Sequence, residues 1–267
     1  MSDRHVMAWH QVDLLRRGLY QDSGDDDSNT SYVVELERED GAKLNCDSLT
    51  FEMSNPRAAS SLFDAVLPVA SGSLLRPGAA VCSKNVISCC IMRDSSARTP
   101  SLAVAAALLC CRSAEETEIC GLAVRSAYRG FGCVGANLIS YAVIQGVLRP
   151  GDKVSVHVQA DNLSALRFYA ATLAMRPHDA VHPPLAKKPR EERVDGDEGI
   201  RKLSDNAAEV LVAYGVSAEE LEACCVKDYY PPKPRCRFGS RHAFVIKTVV
   251  PTDNSLAVKL PWSPDND

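Results

Sequence analysis

The chain has 267 residues, with 30 basic and 34 acidic side chains and a formal net charge of −4. Its 46% apolar and 24% charged residues are typical of a globular protein, and it lacks the basic excess of general nucleic-acid binders. The longest apolar run, 102–111, is too short to span a bilayer, and residues 1–20 lack the apolar segment of a secretory signal. We therefore expect a cytoplasmic protein with no membrane or nucleic-acid site.

The eleven cysteines are an odd number and include no CxxC pair. Disulfide frameworks are typical of short secreted chains, and zinc sites require ligands at short spacing, which the histidines here do not supply. We therefore expect reduced thiols that fill the core, and no metal site.

The first half of the chain is predicted to contain one helix and three strands. Residues 1–49 form an N-terminal extension that is expected to be partly disordered, because the acidic stretch 21–31 lacks apolar periodicity. Helical spacing of apolar residues predicts a helix over 54–66. Short apolar runs bounded by turn residues predict strands at 86–92, 102–111 and 118–124. The middle run is apolar on both faces, as in a central strand.

The second half begins with a glycine-rich turn. It precedes a helix predicted over 136–148, a strand at 154–158, and a helix that Asn162 caps. Residues 176–206 are rich in proline and charge and show no core face, so a flexible, low-complexity insertion is predicted at about 176–224, with a short helix near 217–223. Strands near 226–230 and 242–250 follow, then a tail at 251–267. This order predicts a mixed α/β sheet in a single domain over 50–250.

A glycine turn between a strand and a helix presents backbone N–H groups that bind diphosphates. One candidate ligand is a dinucleotide, because Gly130, Gly132 and Gly135 match GxGxxG and Asp161 ends the next strand. A dinucleotide-binding unit usually opens its domain, whereas this turn follows more than a hundred residues. The other candidate is coenzyme A.

Two motifs favour coenzyme A. Arg129-Gly130-Phe131-Gly132 precedes one helix, and Asn162-Leu-Ser-Ala with Phe168-Tyr169 forms the next. They resemble the Q/R-x-x-G-x-G/A and NxSAxxFY signatures of the GNAT superfamily of N-acetyltransferases, although Val134 stands where Gly or Ala is usual and Gly135 comes one place late. The resemblance implies the acyl-CoA N-acyltransferase fold with acetyl-CoA as cosubstrate.

Three segments narrow the resemblance to protein N-terminal acetyltransferases of the NatE (San) type. They are HVQADNLSALRFY at 157–169, Asp228-Tyr229-Tyr230 with His242-Ala243 downstream, and Leu67-Pro68-Val69. The resemblance as a whole covers about residues 50–175 and 225–250. The resemblance implies acetyl transfer, in a ternary complex, to the α-amino group of protein N-termini that begin with Met and an apolar residue. N-terminal peptides are the implied partners, and other acetyltransferase subunits and the ribosome are further candidates.

The resemblance also assigns catalytic roles. His157 would hold a water that accepts the amine proton, and Tyr169 would protonate the sulfur of coenzyme A. Glu118 stands where the family has a tyrosine that shares this water, so it is either a direct base or an exposed strand end. A hydrogen-bonded core histidine and a packing aromatic remain the alternative interpretations of His157 and Tyr169.

Binding roles follow from the same resemblance. Backbone N–H groups of Leu122, Ala123 and Val124 would polarise the acetyl carbonyl. Those of Arg129, Gly130, Phe131, Gly132, Cys133, Val134 and Gly135 would hold the diphosphate, and Asn162 would cap its helix and contact the cofactor. An apolar slot for the initiator Met would be formed by Leu67, Pro68, Val69, Tyr229 and Tyr230.

Two other functions of the same fold remain open. The Glu at position 118 and the Val at position 134 suggest a non-catalytic, coenzyme A-binding subunit of an acetyltransferase complex. A lysine or small-amine acetyltransferase is the other alternative. The basic run 187–190 is interpreted as solvated linker, with a nuclear signal or a ribosome contact as alternatives.

Overall fold

A computed structural model describes residues 6–16, 35–59, 62–63, 86–99, 103–131, 134–177, 196–230 and 240–250. They form two compact units, one with the residues up to Asp152 together with Val249 and Val250, the other with Lys153 to Thr248. The mixed α/β class predicted from the sequence is confirmed. The domain boundaries, with one acetyltransferase domain over 50–250, stay a prediction.

The first unit contains an antiparallel sheet. Its strands are β1 (Met7–Ala8), β4 (Leu49–Ser54), β5 (Val86–Asp94), β6 (Val104–Arg112) and β7 (Thr117–Val124), in the order β1-β4-β5-β6-β7. A separate hairpin consists of β2 (Glu35–Glu37) and β3 (Lys43–Asn45). Strand β6 is buried from Val104 through Cys110. Its apolar character on both faces therefore fits its central position.

Both faces of this sheet are covered. On one face, a buried cluster extends from the 3₁₀ turn Pro56–Ala59 across β5, β6 and β7 and consists of Ala59, Leu62, Phe63, Cys89, Ile91, Val104, Ala107, Leu109 and Ala123. On the other face lie α1 (Trp9–Arg16) and α2 (Val134–Ile144). The ring of Phe51 stacks between those of Trp9 and Tyr141, at centroid distances of 5.7 and 5.6 Å. Residues before position 50 thus contribute to the core.

The predicted strands at 86–92, 102–111 and 118–124 are confirmed as β5, β6 and β7. The helix predicted over 54–66 is wrong at its start, because Ser54 ends β4 and a 3₁₀ turn follows. Pro56 cannot donate a backbone hydrogen bond, and the side chain of Asn55 accepts the N–H of Arg57 at 2.9 Å, which favours a turn.

The second unit contains the other strands and helices. They are β8 (Lys153–Gln159), α3 (Leu163–Leu173), β9 (Arg176–Pro177), α4 (Gly196–Leu211), α5 (Ala218–Ala223), β10 (Cys225–Val226) and β11 (Ala243–Val249). Strand β11 lies between β8 and β10 in the sheet and also pairs with β9. Ser217 and Glu220 form a capping box at the start of α5, so the predicted short helix is confirmed.

Helix α4 corrects the interpretation of 176–224 as low-complexity chain without a core face. Ile200, Ser204, Ala207 and Leu211 are all buried, and their spacing places them on one face of the helix. The charged residues between them occupy the exposed face. The end of the predicted insertion is therefore folded, and its basic run 187–190 lies outside the described residues.

The cysteines described are free thiols, and five of them are buried: Cys46, Cys89, Cys90, Cys110 and Cys224. Burial raises the pKa of the Cys89 thiol to about 12, as expected of core residues rather than reactive thiols. Within the part of the chain that the structure describes, no helix is long and apolar enough to cross a membrane.

Candidate functional site

The site elements of the first unit begin on β7, which contains a bulge. Leu109 of β6 pairs with Gly121, whereas Cys110 pairs with Ile119, so Cys120 is the extra residue. Bulges redirect a strand and are frequent next to active sites. The predicted carbonyl-polarising segment, Leu122 to Val124, follows this bulge directly.

Three side chains fix the turn that follows β7. Arg125 Nε donates to the carbonyl of Val104, and Arg129 Nε donates to that of Val124, both at 2.7 Å. The hydroxyl of Tyr128 donates to Asp94 Oδ2 at 2.6 Å. The 3₁₀ turn Ser126–Tyr128 is thereby tied to β5, β6 and β7 before the glycine loop begins.

The glycine loop leads into the first turn of α2. Gly130 has a φ of +82°, a conformation that favours glycine. The first N–H groups of α2 have no acceptor within the helix, and they lie at the positive end of its dipole. Such backbone donors fit the diphosphate of coenzyme A. Gly132 and Cys133 lie outside the described residues.

Val134, the departure from the GNAT signature, begins α2 and is 4% exposed. Its side chain therefore contributes to the buried core of the first unit. The loop accepts valine at this position without presenting an isopropyl group to solvent.

We expect Tyr128→Phe to lower the free energy of unfolding by about 2 kcal/mol, because it removes a hydrogen bond to a carboxylate. Burial disfavours ionisation of Asp94, but hydrogen bonds from Ser96 and Tyr128 outweigh it and hold the pKa of this carboxyl below its ordinary value. The stabilisation that the ionised Asp94 gains from the Tyr128 hydrogen bond is therefore present at neutral pH, and it is lost as the pH falls through the lowered pKa of Asp94. Urea unfolding of the variant measures the effect, with Tyr214→Phe as the control, because Tyr214 is a half-buried tyrosine in the 3₁₀ turn Val212–Tyr214 after α4. Equal losses in the two variants would contradict the assignment.

In the second unit, the predicted base lies against the predicted substrate tyrosines. The ring of His157, on β8, stacks on that of Tyr229 with a centroid distance of 4.3 Å and an interplanar angle of 5°. The hydroxyl of Tyr230 donates to the carbonyl of His157 at 3.1 Å. His157 is half-buried, whereas Tyr229 is 38% exposed. The structure thus brings His157 together with two tyrosines that lie 72 and 73 positions further along the chain.

Three residues to which the sequence motifs assigned no role hold this tyrosine pair in place: Asp228, Arg241 and His242. Asp228 has a φ of +52°, and its N–H donates to Nδ1 of His242 at 3.1 Å. Arg241 forms an ion pair with Asp228 at 3.4 Å, and its backbone carbonyl accepts the N–H of Tyr230 at 2.9 Å. Burial lowers the pKa of His242, which favours the neutral imidazole as an acceptor. The positive φ of Asp228 could not be read from the sequence.

Helix α3 presents the other two predicted residues of this unit. The side chain of Asn162 accepts the N–H of Ala165 at 3.3 Å, so its predicted capping role is confirmed. Tyr169 is 5% exposed, and its ring contacts Phe168 edge-on at 5.2 Å. Their roles toward coenzyme A stay predictions.

Glu118 and the predicted substrate segment are the remaining predicted site residues. Glu118 lies on β7 in the first unit, half-buried and opposite Cys111 of β6. The predicted substrate segment Leu67-Pro68-Val69 lies outside the described residues.

Residues 87–175 match the model of the Acetyltransferase (GNAT) family. The match begins in β5, ends after α3 and so contains both the glycine loop and His157. The GNAT fold and the acetyl-CoA cosubstrate predicted from the motifs are confirmed for this stretch. The matched stretch covers less than half of the chain.

Among solved structures, the chain is similar to Arabidopsis thaliana Naa50 in complex with the bisubstrate analogue CoA-Ac-MVNAL. The two chains are 12% identical and superpose with a TM-score of 0.39, over 75% of this chain and 98% of that one. No curated protein matches the sequence significantly.

Proposed function

We propose that the protein transfers the acetyl group of acetyl-CoA to the α-amino group of protein N-termini that begin with Met and an apolar residue. The observation that carries this proposal is the GNAT family match, which contains the glycine loop and the strand with His157. The motifs at 157–169 and 228–230 favour N-terminal peptides as the acceptor. The contact between His157 and Tyr229 supports this acceptor class, because it joins the proposed base to a tyrosine ring that is 38% exposed.

Transfer of an acetyl group to an amine requires an activated acetyl donor, a base for the amine proton and an acid for the leaving thiolate. Acetyl-CoA supplies an activated thioester. An α-amino group has a pKa of about 8, roughly two units below that of lysine, so a modest base suffices to deprotonate it. His157 would hold the water that accepts this proton and passes it to the imidazole, and the hydroxyl of Tyr169 would protonate the departing sulfur.

The binding roles are divided between backbone and aromatic side chains. Backbone N–H groups of the glycine loop and of α2 would bind the diphosphate, and those of Leu122 to Val124 would polarise the carbonyl. Tyr229 and Tyr230 would bind the first residues of the peptide. Tyr230 keeps its ring edge-on to Tyr229 at 4.9 Å, which limits the freedom of both rings before substrate binds.

The test incubates the protein and acetyl-CoA with each of three related peptides. One begins with Met-Leu, one is blocked at its N-terminus but contains a lysine, and one begins with Ser-Leu. Mass spectrometry locates the acetyl group, and released coenzyme A is measured in parallel. We expect product on the α-amine of the Met-Leu peptide and at most a trace on the other two.

The other outcomes identify the alternatives. Acetylation of the blocked peptide at lysine would replace the proposal with lysine acetylation. Binding of coenzyme A without turnover on any peptide would indicate a non-catalytic subunit.

A further inference from the structure

A side chain far upstream of the family match contacts the glycine loop. Arg38 follows strand β2, and its Nη1 donates to the carbonyl of Arg129 at 3.2 Å. Its guanidinium carbon lies 5.5 Å from the centroid of the Phe131 ring, within cation–π range. One arginine therefore contacts residues on both sides of Gly130.

The stem of Arg38 also crosses Gly130 itself. A Cβ added at Gly130 would lie 2.6 Å from Cδ of Arg38 and 3.2 Å from its Cγ. The loop thus needs glycine here for two reasons: the φ of +82° and the close approach of the arginine.

Arg38 is held in this orientation by its own hairpin. Its Nε and Nη2 donate to the two carboxylate oxygens of Asp40 at 2.7 and 2.6 Å. The hydrogen bond from Arg38 and that from the N–H of Ala42 lower the pKa of Asp40 to about 2, so the pair stays ionised at neutral pH. The turn is closed by the N–H of Arg38, which donates to the carbonyl of Ala42 at 2.9 Å.

We propose that Arg38 is a positioning residue for the diphosphate of coenzyme A, an inference that rests on the proposed function. A trans peptide directs its C=O and N–H to opposite sides. Because Arg38 holds the carbonyl of Arg129, it turns the N–H of Gly130 to the side of the loop away from itself. The N-terminal hairpin thereby orients a diphosphate donor before the cofactor binds, and preorganised donors bind more tightly than mobile ones.

The proposal predicts an effect that depends on the diphosphate. We expect Arg38→Ala to weaken the binding of coenzyme A about tenfold, the equivalent of one lost hydrogen bond of ordinary strength. Acetyl-pantetheine lacks the diphosphate, so the original protein and Arg38→Ala should bind it with equal affinity. The variant should raise the KM for acetyl-CoA while its kcat stays within about twofold of the original, since Arg38 acts on binding rather than on the chemical step.

Calorimetry with coenzyme A tests this on the full chain, with Lys43→Ala as the matched control. Lys43 is on the same hairpin and pairs with Glu35 at 2.9 Å, but the pair is exposed and contributes little. Arg38→Lys keeps much of the aliphatic stem but loses the paired hydrogen bonds of the guanidinium to Asp40. It therefore provides the same test should the alanine variant not fold. Hydrogen exchange of ligand-free protein should show faster exchange at 126–131 in the Arg38 variants than in Lys43→Ala.

Different results would overturn the role of Arg38 and the proposed acetyltransferase function. Equal affinity of the original, Arg38→Ala and Arg38→Lys for coenzyme A would overturn the role of Arg38 alone. Equal losses for coenzyme A and acetyl-pantetheine would do the same, because they would show a general loss of structure. An original protein that binds no coenzyme A would overturn the proposed function and this inference together.

Discussion

Replacing His157 with alanine is expected to lower kcat by about a hundredfold or more, the usual contribution of a general base. The affinity for coenzyme A should change little, since the diphosphate is assigned to backbone groups of the first unit. Steady-state kinetics on the Met-Leu peptide, together with calorimetry, separate the two quantities. The matched control is His10→Ala, because His10 is exposed on α1.

A structural role for His157 would give a different result. Its ring stacks on Tyr229, so alanine also removes a packing contact. Tyr229→Leu removes the same stacking and keeps the imidazole, and it should raise the KM for peptide more than it lowers kcat. Added imidazole should restore part of the activity of His157→Ala and none of that of Tyr229→Leu. Similar kcat losses in both variants without rescue would contradict the base assignment.

The part of the fold that is readable from the sequence consists of long apolar runs. Strand β6 is buried along most of its length, and its sequence is apolar from Val104 through Cys111. The cap at Asn162 is likewise local, because an N-cap needs only its own side chain and a backbone N–H three residues on. Local signals of this kind predicted β5 to β8, α2 and α3 correctly.

The missed elements depend on distant partners. Strands β2 and β3 have three residues each, and their alternation of polar with apolar residues is too short to recognise. Arg38 contacts the glycine loop across 91 positions, so no local pattern could assign it to the site. Helix α4 is different, because its apolar residues Ile200, Ala207 and Leu211 already have helical spacing in the sequence. The many charged residues around them led to the incorrect prediction of a flexible segment.

The same distinction applies to the candidate site. The glycine loop, His157 and Tyr169 were predicted as site residues because they lie in sequence motifs. The stacking of His157 on Tyr229 and the support of that pair by Asp228 and His242 arise from chain folding. The motifs predict the chemistry, whereas the contacts around the predicted residues require the structure.

The N-terminal extension offers the largest expected effect on stability. We expect Trp9→Ala to lower the free energy of unfolding by about 3–5 kcal/mol, as for other buried aromatic residues replaced by alanine. Trp9 is 1% exposed and stacks on Phe51, which in turn stacks on Tyr141 of α2. Loss of the indole would leave a cavity between α1, β4 and α2. Urea unfolding followed by far-UV circular dichroism measures the change.

Two further variants make the Trp9 prediction specific. His10→Ala, at the next and exposed position of α1, should change stability by less than about 0.5 kcal/mol. Trp9→Phe should cost less than Trp9→Ala, because it keeps a ring against Phe51 and removes the indole N–H, which is buried and has no hydrogen-bond partner among the described residues. If Trp9→Ala were as stable as His10→Ala, α1 would not be part of the core. A large loss would show that residues outside the family match support the sheet that leads, through β7, into the glycine loop.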